Sequence, residues 1–428
     1  MHDFDNREEI QGYQLAELQR LLSAVVQSNP FWQHRIAAAG LNGGVDRLEQ
    51  FIERMPLITK QEIVDDQHQH PPYGTNLTYP LSQYTRFNQT SATSGVPLRW
   101  LDTPESWQWM LDNWKQVHRA AGVTSHDRVY FAFSFGPFLG FWTAFDAAAQ
   151  LGCLCIPGGG CRSAGHLAAM RHNHATVLCC TPTYAMRLAE VARQESIDLN
   201  EFSVRTIIVA GEPGGSVPAI RQAIERQWPK ATVFDHHGMT EVGPVSYQCP
   251  QKPGSLVVIE SSYLAEIMDP ESLSPVTPGQ VGELVLTTLG RLGSPLIRYR
   301  TGDLVCEDTQ WSEESGRPEL VLAGGILGRA DDMVVVRGVN VYPSAVADVC
   351  AGFPEIVEYR VRIQKTGTLV EMLLDIEPAD ETSDHRMLAS RIAATLKSRL
   401  SLTIPVSIEP PGTLPRFEMK SKRWVRID

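Results

Sequence analysis

No stretch of this sequence is long and apolar enough to read as a membrane span. The most hydrophobic run, VYFAFSFGPFLGFWTAF from Val129 to Phe145, holds 17 residues, is broken by Gly136, Pro137 and Gly140, and stops at Asp146. It reads instead as a buried strand, a turn and the start of a helix. An excess of positive charge is missing as well. With a formal net charge of −11 and a pI near 5.6, the chain is not built to bind nucleic acid or an anionic membrane. The eight cysteines (Cys153, Cys155, Cys161, Cys179, Cys180, Cys249, Cys306 and Cys350) form no CxxC pair and no regular framework. Disulfide scaffolds and paired-cysteine zinc sites are thereby disfavoured, and reduced thiols in a cytoplasmic protein are expected. The opening MHDFDNREEIQGYQ is polar and acidic, unlike a signal or transit peptide. Internal repeats and low-complexity tracts are also lacking.

What remains is the composition of an ordinary globular protein, 43% hydrophobic and 20% charged, in 428 residues. That length exceeds what one compact core normally holds, so two or more domains are expected. YQLAELQRLLSAVVQ near the start repeats apolar residues at three- and four-residue spacing and predicts an amphipathic helix. From about residue 125, short β-rich runs (RVYFAFSF, CLCIPGG, TVLCCTP, VRTIIVAG) alternate with Ala-rich helical segments. This predicts a parallel α/β sheet whose ligands sit beyond the carboxyl ends of the strands. AGEPGG (210–215) and HHGMTEVGP (236–244) fall on that rim. From residue 255 the texture turns to β, interrupted by EDTQWSEESGRPEL (307–320), which reads as a polar, hairpin-like insert. The last hundred residues alternate strands with one helix, DHRMLASRIAATLKSRL, and predict a small α+β domain.

Singly, the chemical motifs are weak. FNQTSATSGVPLRW (87–100) is rich in hydroxyls but lacks the GxxxxGK[ST] spacing of a Walker loop, and alone it reads as a polar turn. GMTE is short enough to occur by chance, and RYRTGD, an Asp after a Gly turn, reads alone as a solvated loop. PRFEMKSKR, alone, reads as a solvated basic tail.

Their order is more specific. A hydroxyl-rich loop, AGEPGG, HHGMTE, IRYRTGDL, GRADDMVVVRGVNVYP and the terminal basic stretch follow one another at domain-scale spacing. In this the chain resembles the AMP-forming (adenylate-forming) ligase superfamily, and within it the phenylacetate–CoA ligase family. VVQSNPFWQHRIAAAGL and MPLITKQEI extend the likeness to the N-terminal segments, so it covers essentially the whole chain.

The resemblance implies an α/β fold: a large N-terminal domain (1–329) of parallel and mixed sheets with flanking helices, plus a small mobile C-terminal α+β domain (330–428). It implies ATP-dependent activation of an aromatic (aryl or aryl-acetic) carboxylic acid through an acyl-adenylate, with transfer to coenzyme A. The alternatives are loading onto a carrier-protein thiol or an amine, or a nucleotide-binding homologue without turnover. ATP, Mg²⁺ and CoA are the implied cofactors and co-substrates, and a homodimer is the implied assembly.

By the same resemblance, Thr90, Ser91, Thr93, Ser94 and Gly95 contact the phosphates. Thr240 donates to the α-phosphate, and Glu241 holds Mg²⁺. Asp303 accepts from the ribose hydroxyls. Gly211, Glu212 and Pro213, with His236, His237, Gly238 and Met239, line the nucleotide. Arg329 contacts the nucleotide, and Asp331 is the hinge of the small domain. Lys420 bridges the carboxylate and the α-phosphate during adenylation, with Lys422 as the fallback. Phe135, Phe141, Ala210 and Gly238 are candidates for the acyl pocket, although Phe135 and Phe141 also read as plain core.

Three departures stand out. Ala92 and Val96 replace a glycine and the lysine of the phosphate loop, so weaker ATP binding is expected than in lysine-containing relatives. His237 stands where an adenine-stacking tyrosine is usual. Zinc is not expected, because only Cys306 remains where zinc-bearing relatives carry a Cys-x-Cys pair.

Overall fold

The computed structural model describes residues 4–90, 97–133, 135–337, 339–366, 369–379, 384–417 and 421–427. They form two compact units, Met1–Gly159 with His236–Gly325, and Gly160–Asp235 with Ile326–Asp428.

The first unit begins with the expected amphipathic helix, Arg7–Ser28. Asn6 caps it by accepting from the Glu9 N–H, and Leu18, Leu21, Leu22 and Val25 form its buried face. Asn29 then caps the helix Pro30–Ala38. Farther on, a reciprocal capping box between Thr59 and Glu62 starts the helix Lys60–Gln69. The chain just before it runs along the strand Tyr299–Cys306: the Ile58 N–H donates to the Arg298 carbonyl at 3.0 Å, and the Ile58 carbonyl accepts from Arg300 N–H at 2.9 Å. That docking fixes Lys60 at the edge of the strand ends.

The apolar run 129–145 folds as its composition predicts, into the strand Arg128–Phe131, a turn and the helix Leu139–Gln150. A parallel partner, Leu154–Pro157, follows. The rest of the unit is antiparallel. Thr232–Met239 pairs with Gly243–Gln248, then come Leu256–Val258 and Val321–Leu322. Tyr263–Met268, Val281–Thr288 and Tyr299–Cys306 make a separate meander. The 307–320 insert is hairpin-like at its neck, where Glu307 bridges antiparallel to Leu322, but it also holds a short helix, Trp311–Ser315, which its polar sequence does not announce. Burial of Trp311 and an ion pair from Lys252 to Asp308 at 2.5 Å draw it back onto the sheet.

In the second unit, Val177–Cys180, Thr206–Val209 and Thr232–Asp235 are parallel neighbours. Each is followed or preceded by a helix, as the alternating pattern requires. Its C-terminal part is α+β. The long strands Ile356–Thr366 and Leu369–Pro378 pair antiparallel, flanked in parallel by Trp424–Ile427 and Val406–Ile408. Helices Pro343–Ala351 and His385–Leu400 complete it. Val346, Val361, Leu374, Ile376, Ile392 and Leu396 belong to a core of its own, which is what a separately folding domain needs. Among the described residues no helix is long and apolar enough to cross a membrane.

Candidate active site

In the first unit the candidate residues gather at the end of the strand Thr232–Met239. The strand closes through a bulge at His237/Gly238 into a tight turn. Glycine is required at two points there. A Cβ on Gly238 would lie 2.7 Å from the Gly243 carbonyl oxygen, and Gly243 itself adopts φ +92°. Three successive carbonyls of the turn are held by side chains. Arg291 Nη1 donates to the Thr240 and Glu241 carbonyls at 2.8 and 2.9 Å, and the Tyr263 hydroxyl donates to that of Val242 at 2.8 Å.

Glu241 is buried, 5% exposed, and its Oε1 lies 3.0 Å from Lys60 Nζ. A buried carboxylate is tolerable only with such compensation. Its donor type suits a hard cation, as does the Thr240 hydroxyl. Among the described residues no cluster of three or more His, Cys, Asp or Glu could hold a metal ion. A Mg²⁺ at Glu241 would therefore complete its shell with phosphate and water oxygens, its usual habit beside a nucleotide. In the sequence Lys60 is no more than one residue of MPLITKQEI. Its place beside Glu241 depends on docking against a strand some 240 residues later and leaves no local signal. If Glu241 has the role that the resemblance implies, Lys60→Met is expected to raise the KM for ATP about five- to tenfold, since it removes a cation from beside that carboxylate. Steady-state kinetics at saturating acid check this, and an unchanged KM would remove Lys60 from phosphate binding.

Asp303 is likewise buried, on the RYRTGD segment. Its N–H donates to Thr301 Oγ1 at 3.0 Å, and the N–H of Gly302 (φ +77°) donates to Glu283 Oε1 at 3.0 Å. Glu283 also pairs with Arg300 at 2.6 Å, so the turn is braced from behind. His237 Nε2 donates to Asp303 Oδ2 at 3.0 Å. The two residues that the resemblance assigns to adenine and ribose are thus bonded to each other. A carboxylate has lone pairs enough to accept from a ribose hydroxyl as well.

Neighbouring His236 is turned the other way, as alternation along a strand demands. Its Nδ1 donates to the Ser246 carbonyl at 2.7 Å, and its ring centre is 4.1 Å from that of Trp114. His118 lies against the same tryptophan at 5.3 Å. Burial pushes the pKa of His236 down to about 3 and that of His118 down to about 4, so both are neutral. Met239 and Thr240 are partly exposed at the hairpin end.

The aromatic segment after Arg128–Phe131 forms a cluster. Phe133 and Phe141 stack at 3.9 Å and 15°, and Phe135 meets Trp142 at 4.9 Å and Phe145 at 5.5 Å. Both Phe135 and Phe141 are partly exposed. Nearby, the hairpin Arg86–Gln89/Arg99–Asp102 carries the hydroxyl-rich loop. Thr90 closes its neck: its N–H donates to the Leu98 carbonyl and its hydroxyl accepts from the Leu98 N–H, each at 3.0 Å. Ser91, Ala92, Thr93, Ser94, Gly95 and Val96 lie outside the described residues.

In the second unit, Thr206–Val209 runs into Ala210 and then Gly211, whose φ is +92°. Gly214 and Gly215 pack so closely that a Cβ would come within 2.5 Å of Pro182 and of Asp235, respectively. Pro213 is exposed. Glu212 does more than line a rim. Its Oε1 accepts from the Thr183 N–H at 2.8 Å, in the first turn of a helix, where a negative charge is favoured. Its Oε2 accepts from the Ser421 N–H at 3.1 Å and hydroxyl at 3.3 Å. Ser421 follows Lys420, which itself lies outside the described residues. Arg423 is no solvated tail: it forms two bonds to Glu358, at 2.5 and 3.1 Å, and lies over the Tyr359 ring at 4.8 Å. Lys422 is exposed. Arg329 and the hinge candidate Asp331 pair with each other at 2.8 Å.

The chain is an AMP-binding, adenylate-forming enzyme. The sequence model for AMP-binding enzymes matches residues 90–290, and that for their C-terminal domain matches residues 338–426. The chain belongs to the phenylacetate–CoA ligase family. It is 31% identical to the phenylacetate–coenzyme A ligase of Thermus thermophilus, with 96% of this chain and 95% of that protein covered. It is 29% identical to the enzyme of the same name from Escherichia coli, over 97% and 94%. Among solved structures, 2-hydroxyisobutyryl-CoA ligase in its postadenylation state with R3-HIB-AMP superposes with a TM-score of 0.92 at 26% identity, covering 99% of this chain and 90% of that one. The thioesterification state of the same ligase, with 2-HIB-AMP and CoA, gives 0.73 at 27% identity, covering 98% and 90%.

Proposed function

We propose that this AMP-forming acid–thiol ligase activates an aromatic or aryl-acetic acid with ATP and delivers it to coenzyme A. A carboxylate is a poor electrophile, so it must acquire a leaving group before a thiol can displace anything from it. The substrate carboxylate oxygen attacks the α-phosphorus in line, the bond to the β-phosphate oxygen breaks, and pyrophosphate leaves. The CoA sulfur then attacks the acyl carbon, AMP departs, and the thiol proton passes to solvent.

In this reading the protein supplies position and charge. Thr240 donates its hydroxyl to an α-phosphate oxygen. Thr90, Ser91, Thr93, Ser94 and Gly95 hold the outer phosphates. Asp303 accepts from the ribose, and His237, bonded to it, covers the base. Gly211, Glu212, Pro213, Gly238, Met239 and Arg329 complete the nucleotide surroundings, while His236, turned toward Trp114, stays behind them. Glu241 would hold Mg²⁺, which when bound neutralises phosphate charge. Lys420 meets the carboxylate and α-phosphate for the first half-reaction. The domain 330–428 then turns at Asp331 to admit the thiol. The observation that carries the aromatic preference is the Phe133–Phe141 stack, partly exposed just beyond the strand Arg128–Phe131. A reaction that consumes ATP and CoA also suits a cytoplasmic setting.

Pyrophosphate release with ATP, Mg²⁺ and a panel of aryl and aryl-acetic acids, with and without CoA, tests the reading. Release together with an aryl-CoA product is expected. An adenylate that accumulates despite CoA would instead favour a carrier-protein thiol or an amine as acceptor. ATP binding without turnover on any acid would mean that catalysis has been lost.

A further inference from the structure

We propose that Asp102 and Arg291 form a positioning joint that sets the hairpin of the hydroxyl-rich loop and the Thr240–Glu241 turn in one fixed relation. Neither residue touches substrate in this scheme. The inference rests on the roles proposed above for Thr240 and Glu241.

Asp102 ends the strand that leaves the 91–96 loop. Its two oxygens accept from Arg291 Nε and Nη2, both at 2.7 Å, and both side chains are fully buried. The remaining edge of the guanidinium, Nη1, spans the Thr240 and Glu241 carbonyls. The arginine fork therefore grips a carboxylate on one side and a peptide turn on the other, a geometry that lysine cannot reproduce.

Arg291 itself has little freedom. A Cβ on Gly290 would fall 2.3 Å from the Trp109 ring, so the loop lies flat on that indole. The Gly293 N–H donates to Ser106 Oγ at 3.1 Å, and the Gly293 carbonyl accepts from Thr78 N–H at 2.9 Å. Ser294 Oγ donates to the Leu101 carbonyl at 3.0 Å. The Pro295 carbonyl accepts from Trp32 Nε1 at 3.1 Å and Asn76 Nδ2 at 2.9 Å.

Filling this space with apolar side chains would serve stability as well or better, because a buried ion pair must overcome its desolvation. What apolar packing cannot do is orient two carbonyls. Nor is Arg291 there for its charge: Asp102 neutralises it, so little net field reaches Glu241. With the turn's carbonyls drawn inward, the peptide plane that carries the Thr240 and Glu241 side chains is fixed before ATP arrives.

Arg291→Lys keeps the charge partner of Asp102 and is the primary test, with Arg291→Met and Asp102→Asn beside it and Glu241→Gln as reference. For Arg291→Lys, the midpoint of thermal unfolding should stay within about 4 °C of wild type. Its half-saturating Mg²⁺ concentration and its calorimetric Kd for MgATP should each rise about tenfold, with the KM for the acid moving less than about twofold. Asp102→Asn should shift the same two quantities in the same direction. If Arg291→Lys binds MgATP and responds to Mg²⁺ like wild type while Glu241→Gln does not, the joint is refuted and the metal assignment stands. If Glu241→Gln also keeps the wild-type Mg²⁺ response, the assignment fails and the inference fails with it. A uniform loss in Arg291→Lys, with kcat reduced and Mg²⁺ response and MgATP affinity intact, marks a merely structural role and overturns the proposal.

Discussion

Replacing Lys420 with alanine is expected to slow pyrophosphate release from ATP and acid by about a hundred- to a thousandfold, the usual cost of one donor to a developing oxyanion. The second half-reaction should survive. Given preformed aryl-adenylate and CoA, the variant should make thioester at a rate within a few-fold of wild type, because the proposed role of Lys420 is confined to the attack on phosphorus. Ser421 is bonded through both its N–H and its hydroxyl to Glu212, on the AGEPGG segment. The residue after the lysine is thus anchored on a strand-end loop that the resemblance assigns to the nucleotide. Lys422→Ala is the control and should change release little. If instead Lys422→Ala abolishes release and Lys420→Ala does not, the roles are reversed.

The second large effect concerns stability. His236 and His118 are held neutral by burial, with pKa values near 3 and 4, whereas in the unfolded chain each titrates near 6.5. Below pH 6.5 the unfolded chain takes up protons that the folded chain refuses, so stability falls as pH drops. The loss continues down to about pH 4 for His118 and about pH 3 for His236. At pH 5 each contributes roughly 2 kcal/mol, so a decline of about 4 kcal/mol is expected between pH 7.5 and pH 5.0. Urea unfolding at the two pH values measures it, and His118→Gln should remove about half of the slope. A flat profile over that interval would show that these histidines are protonated, or hydrated, in the folded protein.

Both effects bear on what could be read from sequence. The strands at Arg128–Phe131, Val177–Cys180 and Thr206–Val209 were legible because buried parallel strands are short apolar runs, with helices of a different period between them. The short helix inside the 307–320 insert was not, because Trp311 is one aromatic among polar neighbours and its burial depends on the sheet it meets. In the site, GMTE and TGD were legible as an ordered set. That His237 and Asp303 would bond to each other was not, nor that His236 would face Trp114. The second of these had a signal: consecutive residues of a strand point to opposite faces, so two adjacent histidines cannot share one site. Asp102 and Arg291 lie 189 residues apart, and nothing periodic marks either. Lys60 is in the same position. Long-range polar contacts are set by topology, and topology is what a motif scan leaves out.

The segment from Arg291 to Arg300 carries three arginines, each locked to a carboxylate: Asp102, Glu266 and Glu283. Charge pairs thus reinforce a segment whose Leu296, Ile297 and Tyr299 are also buried. The consequence is thermal. The penalty for dehydrating ions shrinks on heating, while the gain per unit of buried apolar surface levels off. As temperature rises, the frame behind the Glu241 and Asp303 turns should keep its hold longer than the aliphatic packing of the 330–428 segment.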